Sequence, residues 1–301
     1  MISSARTPST DGPRGSRGAF TASDGEQLYY QDVGVGPAVL FVHGWAMNSN
    51  FWERQVADLA PGDHRCVTYD QRGCGRSSPA LRGYDLDTLA DDLAALIDTL
   101  ELTDLTLVAH SMGSAIVARY LSRHPSLRVA GVVLVSGTVP GIFTESSSRL
   151  QALSAQTRAL MADRPAFVRA MADPFFAPEA VSAETIGWGC SLALRTSLHA
   201  ALEYTRLNIE TDVSADMAAF TMPTLIIHGS ADAAAPVDQS AARAFALVPT
   251  SELRIYEGAS HGLPLTRAAD LNADIAAFAA GVAASRAAKG DWARASAGGL
   301  T

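Results

Sequence analysis

Leu105-Thr106-Leu107-Val108-Ala109-His110-Ser111-Met112-Gly113 is a short apolar run that breaks into a tight turn of small residues with a serine at its tip. The turn has the form small-x-Ser-x-Gly, with Ala109 where glycine is the commoner residue. On its amino side Leu105, Leu107 and Ala109 continue a β-rich run. On its carboxyl side Ile116, Val117, Tyr120 and Leu121 recur at helical spacing, and Pro125 stops the helix. A chain that doubles back this sharply has no room for a large side chain two places before or after the serine. Ala109 still carries only a methyl group. A strand, turn and helix in this order hold a serine hydroxyl out at the edge of a sheet, where it can serve as a nucleophile.

The chain around this turn has 301 residues, which suits one α/β domain. Hydrophobic residues make up 48%, enough for a buried parallel sheet. Lys and Arg number 23 against 31 Asp and Glu, for a formal net charge of −8, so the basic stripe that nucleic-acid binding requires is absent. Cys66, Cys74 and Cys190 show neither metal spacing nor even pairing, which points to a reducing, cytoplasmic compartment. Cys74, in a glycine-rich turn, is expected to be a solvent-side or half-buried thiol and not a nucleophile. Residues 1–18 are rich in Ser, Arg, Pro and Gly, lack the apolar core of a signal peptide, and read as a disordered leader. Residues 285–301 read as a flexible tail. No apolar run approaches the ~20 residues of a membrane span, so no membrane partner is expected. The oligomeric state is left open.

Strand-like and helix-like segments alternate along residues 19–284, the pattern of a mostly parallel, doubly wound sheet with helices on both faces. Strands are expected at 27–32, 38–42, 64–69, 129–135, 224–228 and 253–256. Residues 85–100 form an amphipathic helix with Leu86, Leu89, Leu93, Leu96 and Leu100 on its apolar stripe and Asp85 or Asp87 as its cap. Between 139 and 222 the alternation stops in favour of helix. An insertion between two strands at the carboxyl edge of such a sheet lies where ligands bind, and it reads as a lid. Its aromatics Phe143, Phe175, Phe176 and Trp188, with Phe167, are candidates to line an apolar pocket.

Several motifs accompany the turn. They are Phe-Val-His-Gly-Trp at 41–45, Tyr-Asp-Gln-Arg-Gly-Cys-Gly-Arg-Ser-Ser at 69–78, Ile-Ile-His-Gly-Ser-Ala-Asp at 226–232 and Gly-Ala-Ser-His-Gly-Leu at 258–263. With Gly-Tyr-Asp-Leu-Asp-Thr-Leu-Ala-Asp-Asp-Leu at 83–93 and Leu-Asn-Ala-Asp at 271–274, they resemble the α/β-hydrolase superfamily over nearly all of 20–278. Within it the chain is most similar to the cofactor-free haloperoxidase and arylesterase branch. The resemblance implies the fold and a triad in the chain order serine, acid, histidine. A serine hydroxyl needs an imidazole to take its proton and a carboxylate to orient that imidazole. Among seven histidines, His261 alone follows both the serine and a strand and sits in a glycine-flanked loop. Asp232 leaves the strand before it. Asp238, the runner-up, follows Pro236 and reads as a helix cap.

The backbone amides of Met112 and Trp45 are the expected donors to an oxyanion. His43 and His110 read as structural neighbours of the site. Gly73-Cys74-Gly75 lacks the third glycine of a dinucleotide site, and no phosphate loop or metal spacing appears, so neither cofactor nor metal is expected. The sequence thus predicts a serine hydrolase of a small carboxylic ester. A lactone, a carbon–carbon bond or weak peracid formation are alternatives for the same triad, and a non-enzymatic ligand receptor is disfavoured. Ala46, where haloperoxidases of this branch often carry proline after His-Gly-Trp, argues for ester hydrolysis over peracid chemistry.

Overall fold

The computed structural model describes residues 15–124, 126–142 and 146–298; for Ser126, Ser146 and 287–298 it describes the backbone alone. The strands are β1 (Gly15–Thr21), β2 (Gln27–Val33), β3 (Ala38–Val42), β4 (Arg65–Tyr69), β5 (Leu105–His110), β6 (Val129–Val135), β7 (Thr224–Gly229) and β8 (Ser251–Tyr256). The helices are α1 (Glu53–Leu59), α2 (Leu86–Thr99), α3 (Gly113–Arg123), α4 (Ser146–Ala162), α5 (Arg164–Ala170) and α6 (Ala172–Phe176). They continue as α7 (Ala183–Leu194), α8 (Leu198–Glu210), α9 (Ala241–Leu247), α10 (Leu263–Thr266) and α11 (Ala268–Gly298). One sheet has the order β1-β2-β4-β3-β5-β6-β7-β8. Only β2 runs against the others. The strand order reverses around β3, which pairs with β4 on one side and β5 on the other.

Period-two alternation decides which side chains go to which face. Leu40, Val42, Leu107, Ala109, Val132, Leu134 and Ile226 pack in one cluster with Leu89, Leu93 and Ile97 of α2 and Ile116 and Val117 of α3. Their alternates Val39, Phe41, Val108, Val133, Val135, Leu225 and Ile227 pack on the other face with Leu59 of α1 and Leu271, Ile275 and Ala279 of α11. Both faces of the central strands are covered, so those strands read as unbroken apolar runs. Each fully buried leucine or valine contributes about 1.5–3 kcal/mol of transfer free energy. Asp85 caps α2 by accepting from the Thr88 amide at 2.9 Å.

Two expected boundaries move. Residues 15–18, read as leader, belong to β1, which pairs with β2 over seven residues and buries Phe20. The pairing, not β propensity, makes this strand, because its Gly-Ser-Arg-Gly start has little. Residues 285–298, read as flexible tail, continue α11. The segment is rich in alanine, the strongest helix former, and Arg286 ties it to the body through Asp104 and the Leu127 carbonyl. Cys74 is 1% exposed, not half-buried. No helix among the described residues is long and apolar enough to cross a membrane.

Candidate active site

Ser111 sits between β5 and α3 with φ +54°, a left-handed conformation that costs a non-glycine residue energy and is held here by its surroundings. The Ser111 amide donates to the Val135 carbonyl at 3.0 Å. A Cβ at Gly113 would lie 2.7 Å from the carbonyl oxygens of both Val42 and His43, so α3 starts pressed against the end of β3 and only glycine fits. Ala109, the other small position, is fully buried in the core, where its methyl is accommodated.

The loops after β5, β7 and β8 bring three distant side chains into line. His261 Nε2 lies 3.0 Å from Ser111 Oγ, and His261 Nδ1 lies 2.7 Å from Asp232 Oδ2. The other carboxylate oxygen of Asp232 accepts from the Ala234 and Ala235 amides at 2.9 and 2.7 Å. Burial opposes ionisation of Asp232, but the neighbouring His261 and His228 hold its carboxyl well below the usual carboxylate range. Asp238 takes no part. It is exposed, in a turn ahead of α9, and Ser240 occupies the cap position expected of it.

His228 and Glu179 escaped the sequence reading. His228 Nε2 is 2.7 Å from the Ala235 carbonyl and 3.2 Å from Asp232 Oδ2, so that nitrogen carries the proton and Asp232 stands between two histidines. Glu179, just beyond α6, accepts from the Ser260 amide at 2.9 Å, the Ser260 hydroxyl at 2.6 Å and Arg267 Nε at 2.6 Å. Partial burial works against its charge, but these donors hold its carboxyl below the ordinary range. On the other side of His261, the Gly262 amide donates to the Phe175 carbonyl at 2.9 Å. The histidine loop is therefore gripped by the helical insertion at 260 and at 262. A histidine at the end of a strand, or a glutamate between two helices, carries no local signal of such a contact.

The two expected oxyanion amides have no acceptor among the described residues. Each belongs to a peptide whose carbonyl is pinned. His43 Nδ1–H donates to the Gly44 carbonyl at 2.9 Å, and a peptide's N–H points opposite its C=O, so the Trp45 amide is held facing away. The Ser111 carbonyl accepts from the amides of Ser114 at 3.0 Å and Thr138 at 3.4 Å, which holds the Met112 amide in the same way. A Cβ at Gly44 would sit 2.9 Å from that of Ser111, which measures how closely the first loop approaches. His43 Nε2 accepts from the Gln71 amide at 3.0 Å, and burial lowers the ring's pKa to about 4, so the ring is a neutral strut. His110 packs on His261 with ring centroids 4.9 Å apart, and its Nε2–H donates to the His261 carbonyl at 3.1 Å. Burial pushes its pKa down to about 3.

Above these residues lies a cavity of about 190 Å3. Ser111 and His261 reach it, and α4 to α8 supply most of its wall. Phe167, Phe175 and Phe176 line it. Trp188 does not: on α7 the cavity side carries Ile186, Gly189, Cys190 and Ala193, and Trp188 is turned off that stripe and packs beside the α11 face of the core. Phe143 lies outside the described residues. Among the described residues no group of three or more His, Cys, Asp or Glu side chains could hold a metal ion.

The family model for the α/β-hydrolase fold matches residues 37–268. The chain is 36% identical over 268 residues to a non-haem haloperoxidase of Rhodococcus erythropolis, covering 86% of this chain and 97% of that protein. It is 31% identical over 277 residues to a bifunctional esterase/perhydrolase of Acinetobacter calcoaceticus, covering 87% and 99%. Among solved structures, a bromoperoxidase from Bacillus anthracis superimposes with a TM-score of 0.83 at 32% identity, over 87% of this chain and 99% of that one. A mostly parallel eight-stranded sheet with buried central strands, a serine on a strained turn at its carboxyl edge and this degree of likeness lead to one assignment: the chain is a hydrolase of the α/β-hydrolase family, in the branch that holds the non-haem haloperoxidases.

Proposed function

We propose that this hydrolase cleaves a small carboxylic ester through an acyl-enzyme on Ser111. The observation that carries the reading is the line of hydrogen bonds from Asp232 through His261 to Ser111 at the floor of a largely apolar cavity. His261 Nε2 takes the hydroxyl proton as Ser111 Oγ attacks the carbonyl carbon, and Asp232 stabilises the imidazolium that forms. The amides of Trp45 and Met112 receive the negative charge on the carbonyl oxygen, aided by the positive end of α3. His261 then gives its proton to the leaving alkoxide, and water, activated by the same ring, releases the acid. The helices of 139–222 act as the lid over this chemistry. Ser111→Ala is expected to lower kcat on p-nitrophenyl acetate by roughly 10⁴-fold or more with the fold intact. A fluorophosphonate probe should label the wild type alone; labelling of the alanine variant at the normal rate overturns the assignment.

Likeness to a haloperoxidase and an esterase/perhydrolase supports a second use of the same acyl-enzyme. Hydrogen peroxide in place of water would attack the acyl carbon and leave as a peracid, returning the proton to Ser111 by way of His261. The peracid would oxidise bromide in solution, becoming the carboxylic acid as hypobromous acid forms. Ala46 argues that this route is weak. Its φ is +51°, and the proline ring holds φ near −65°, so this loop has a path that a proline at the same place could not follow. Bromination should need acetate, persist with a chelator and vanish in Ser111→Ala. Equal bromination in acetate-free phosphate rules the route out.

A further inference from the structure

The cavity above Ser111 has two unlike walls. One is apolar, built by Phe167, Val168, Met171, Phe175, Phe176 and Ile186. The other carries Thr138, Gln156, Thr205 and Asn208. No Asp, Glu, Lys or Arg side chain lines it among the described residues. His110, the ring beside His261, is neutral at physiological pH because burial pushes its pKa to about 3. A carboxylate or an ammonium on the substrate would therefore be desolvated with no counter-charge among the described residues.

The polar wall is only partly satisfied. The Thr205 hydroxyl accepts from Trp45 Nε1 at 3.0 Å and donates to the Ala201 carbonyl at 2.8 Å, so it is occupied. The Thr138 hydroxyl donates to the side-chain oxygen of Asn208 at 3.3 Å. That leaves the Asn208 amide N–H groups with no acceptor among the described residues. Their distance from the chemistry is short in bonding terms: Asn208 is held by Thr138, and the Thr138 amide donates to the Ser111 carbonyl. Asn208 lines the cavity, and an amide donor there without a protein partner is available to a ligand that supplies an acceptor.

We infer that the preferred substrate is an uncharged ester carrying a second neutral hydrogen-bond acceptor, an ether or carbonyl oxygen, and that Asn208 selects it. This rests on the reading of Ser111 as the nucleophile of an ester hydrolase. The cavity volume of about 190 Å3 lies below the ~300 Å3 at which drug-sized pockets begin, so the whole substrate is small.

The test compares kcat/KM for esters of equal heavy-atom count. On the acyl side the pair is p-nitrophenyl methoxyacetate and p-nitrophenyl butyrate; on the alcohol side it is 2-methoxyethyl acetate and butyl acetate. Each pair is measured in the wild type, Asn208→Leu and Asn208→Ala, so intrinsic ester reactivity cancels. In one of the two pairs the ether-to-alkyl ratio should fall roughly 3- to 10-fold in Asn208→Leu, the scale of one neutral hydrogen bond. Asn208→Ala, which removes the donor without adding charge or bulk, should show the same fall and guards against a folding defect in the leucine variant. A ratio unchanged in both pairs and both variants overturns the inference. Butyrate turnover that survives Ser111→Ala overturns the reading beneath it, and the inference with it.

Discussion

At the scale of single residues, two aspartates six positions apart differ completely in circumstance. Asp232 is buried, doubly bonded to backbone amides and paired with His261, whereas Asp238 is exposed in a turn. Asp232→Asn should therefore cost several orders of magnitude in kcat by favouring the wrong tautomer of His261. Asp238→Asn should leave kcat and Tm nearly unchanged. Paired kinetics with the opposite ranking would show that the acid is misassigned. The same carboxylate should mark the acid stability of the fold. Its pKa in the folded chain lies below the unfolded value of ~3.9, so it stabilises the fold above that pH and the contribution is lost as pH falls below about 4. The Tm gap between wild type and Asp232→Asn should accordingly narrow from pH 7 to pH 3. A gap that stays constant or widens contradicts this account.

At the scale of elements, the helical insertion does more than cover the cavity. α6 grips the histidine loop through the Phe175 carbonyl, and the segment after it does so through Glu179. A Cβ at Gly262 would meet the Phe175 ring at 2.9 Å, so the loop and α6 are in direct contact. Any opening of the insertion as a lid must then hinge elsewhere or release His261. Removing the carboxylate leaves the Ser260 amide and hydroxyl without their acceptor and lets the ring shift. Glu179→Ala is expected to lower kcat by roughly 10- to 100-fold with little change in KM, the penalty for misplacing a catalytic group by about an ångström. Glu179→Gln, which keeps one acceptor, should recover part of the rate. Loss of Tm in both variants with kcat intact would reduce Glu179 to a purely structural contact.

At the scale of the molecule, the site occupies the reversal in strand order between β3 and β5, the crevice where open α/β sheets bind ligands. The two cores that cover the sheet also decide thiol chemistry. Cys66 and Cys74 are buried, one in each core, and burial pushes both thiols up to about 12. Cys190 is only partly buried and lines the cavity. A disulfide reagent at pH 8 should titrate one thiol in the native protein and three after unfolding. Rapid reaction of all three in the native protein would show that the sheet faces open far more readily than their packing implies.

The sequence by itself determined what depends on short-range pattern. The unbroken apolar strands, the α2 stripe with Asp85 as its cap, and the small-x-Ser-x-Gly turn all follow from local sterics and periodicity. Chain order then singled out Asp232 and His261, and the structure sets His261 beside Ser111 and Asp232 behind His261. Tertiary structure decided whatever depends on a distant partner. β1 exists because β2 offers it a ladder, and α11 extends past Ser285 with Arg286 anchored to Asp104 and the Leu127 carbonyl. The contacts of Glu179 join segments 81 residues apart, and the short span from His228 to Asp232 closes in a loop geometry that no periodicity encodes. Trp188 misses the cavity by one helical step, because a helix face is chosen by what packs against it and composition does not name that partner.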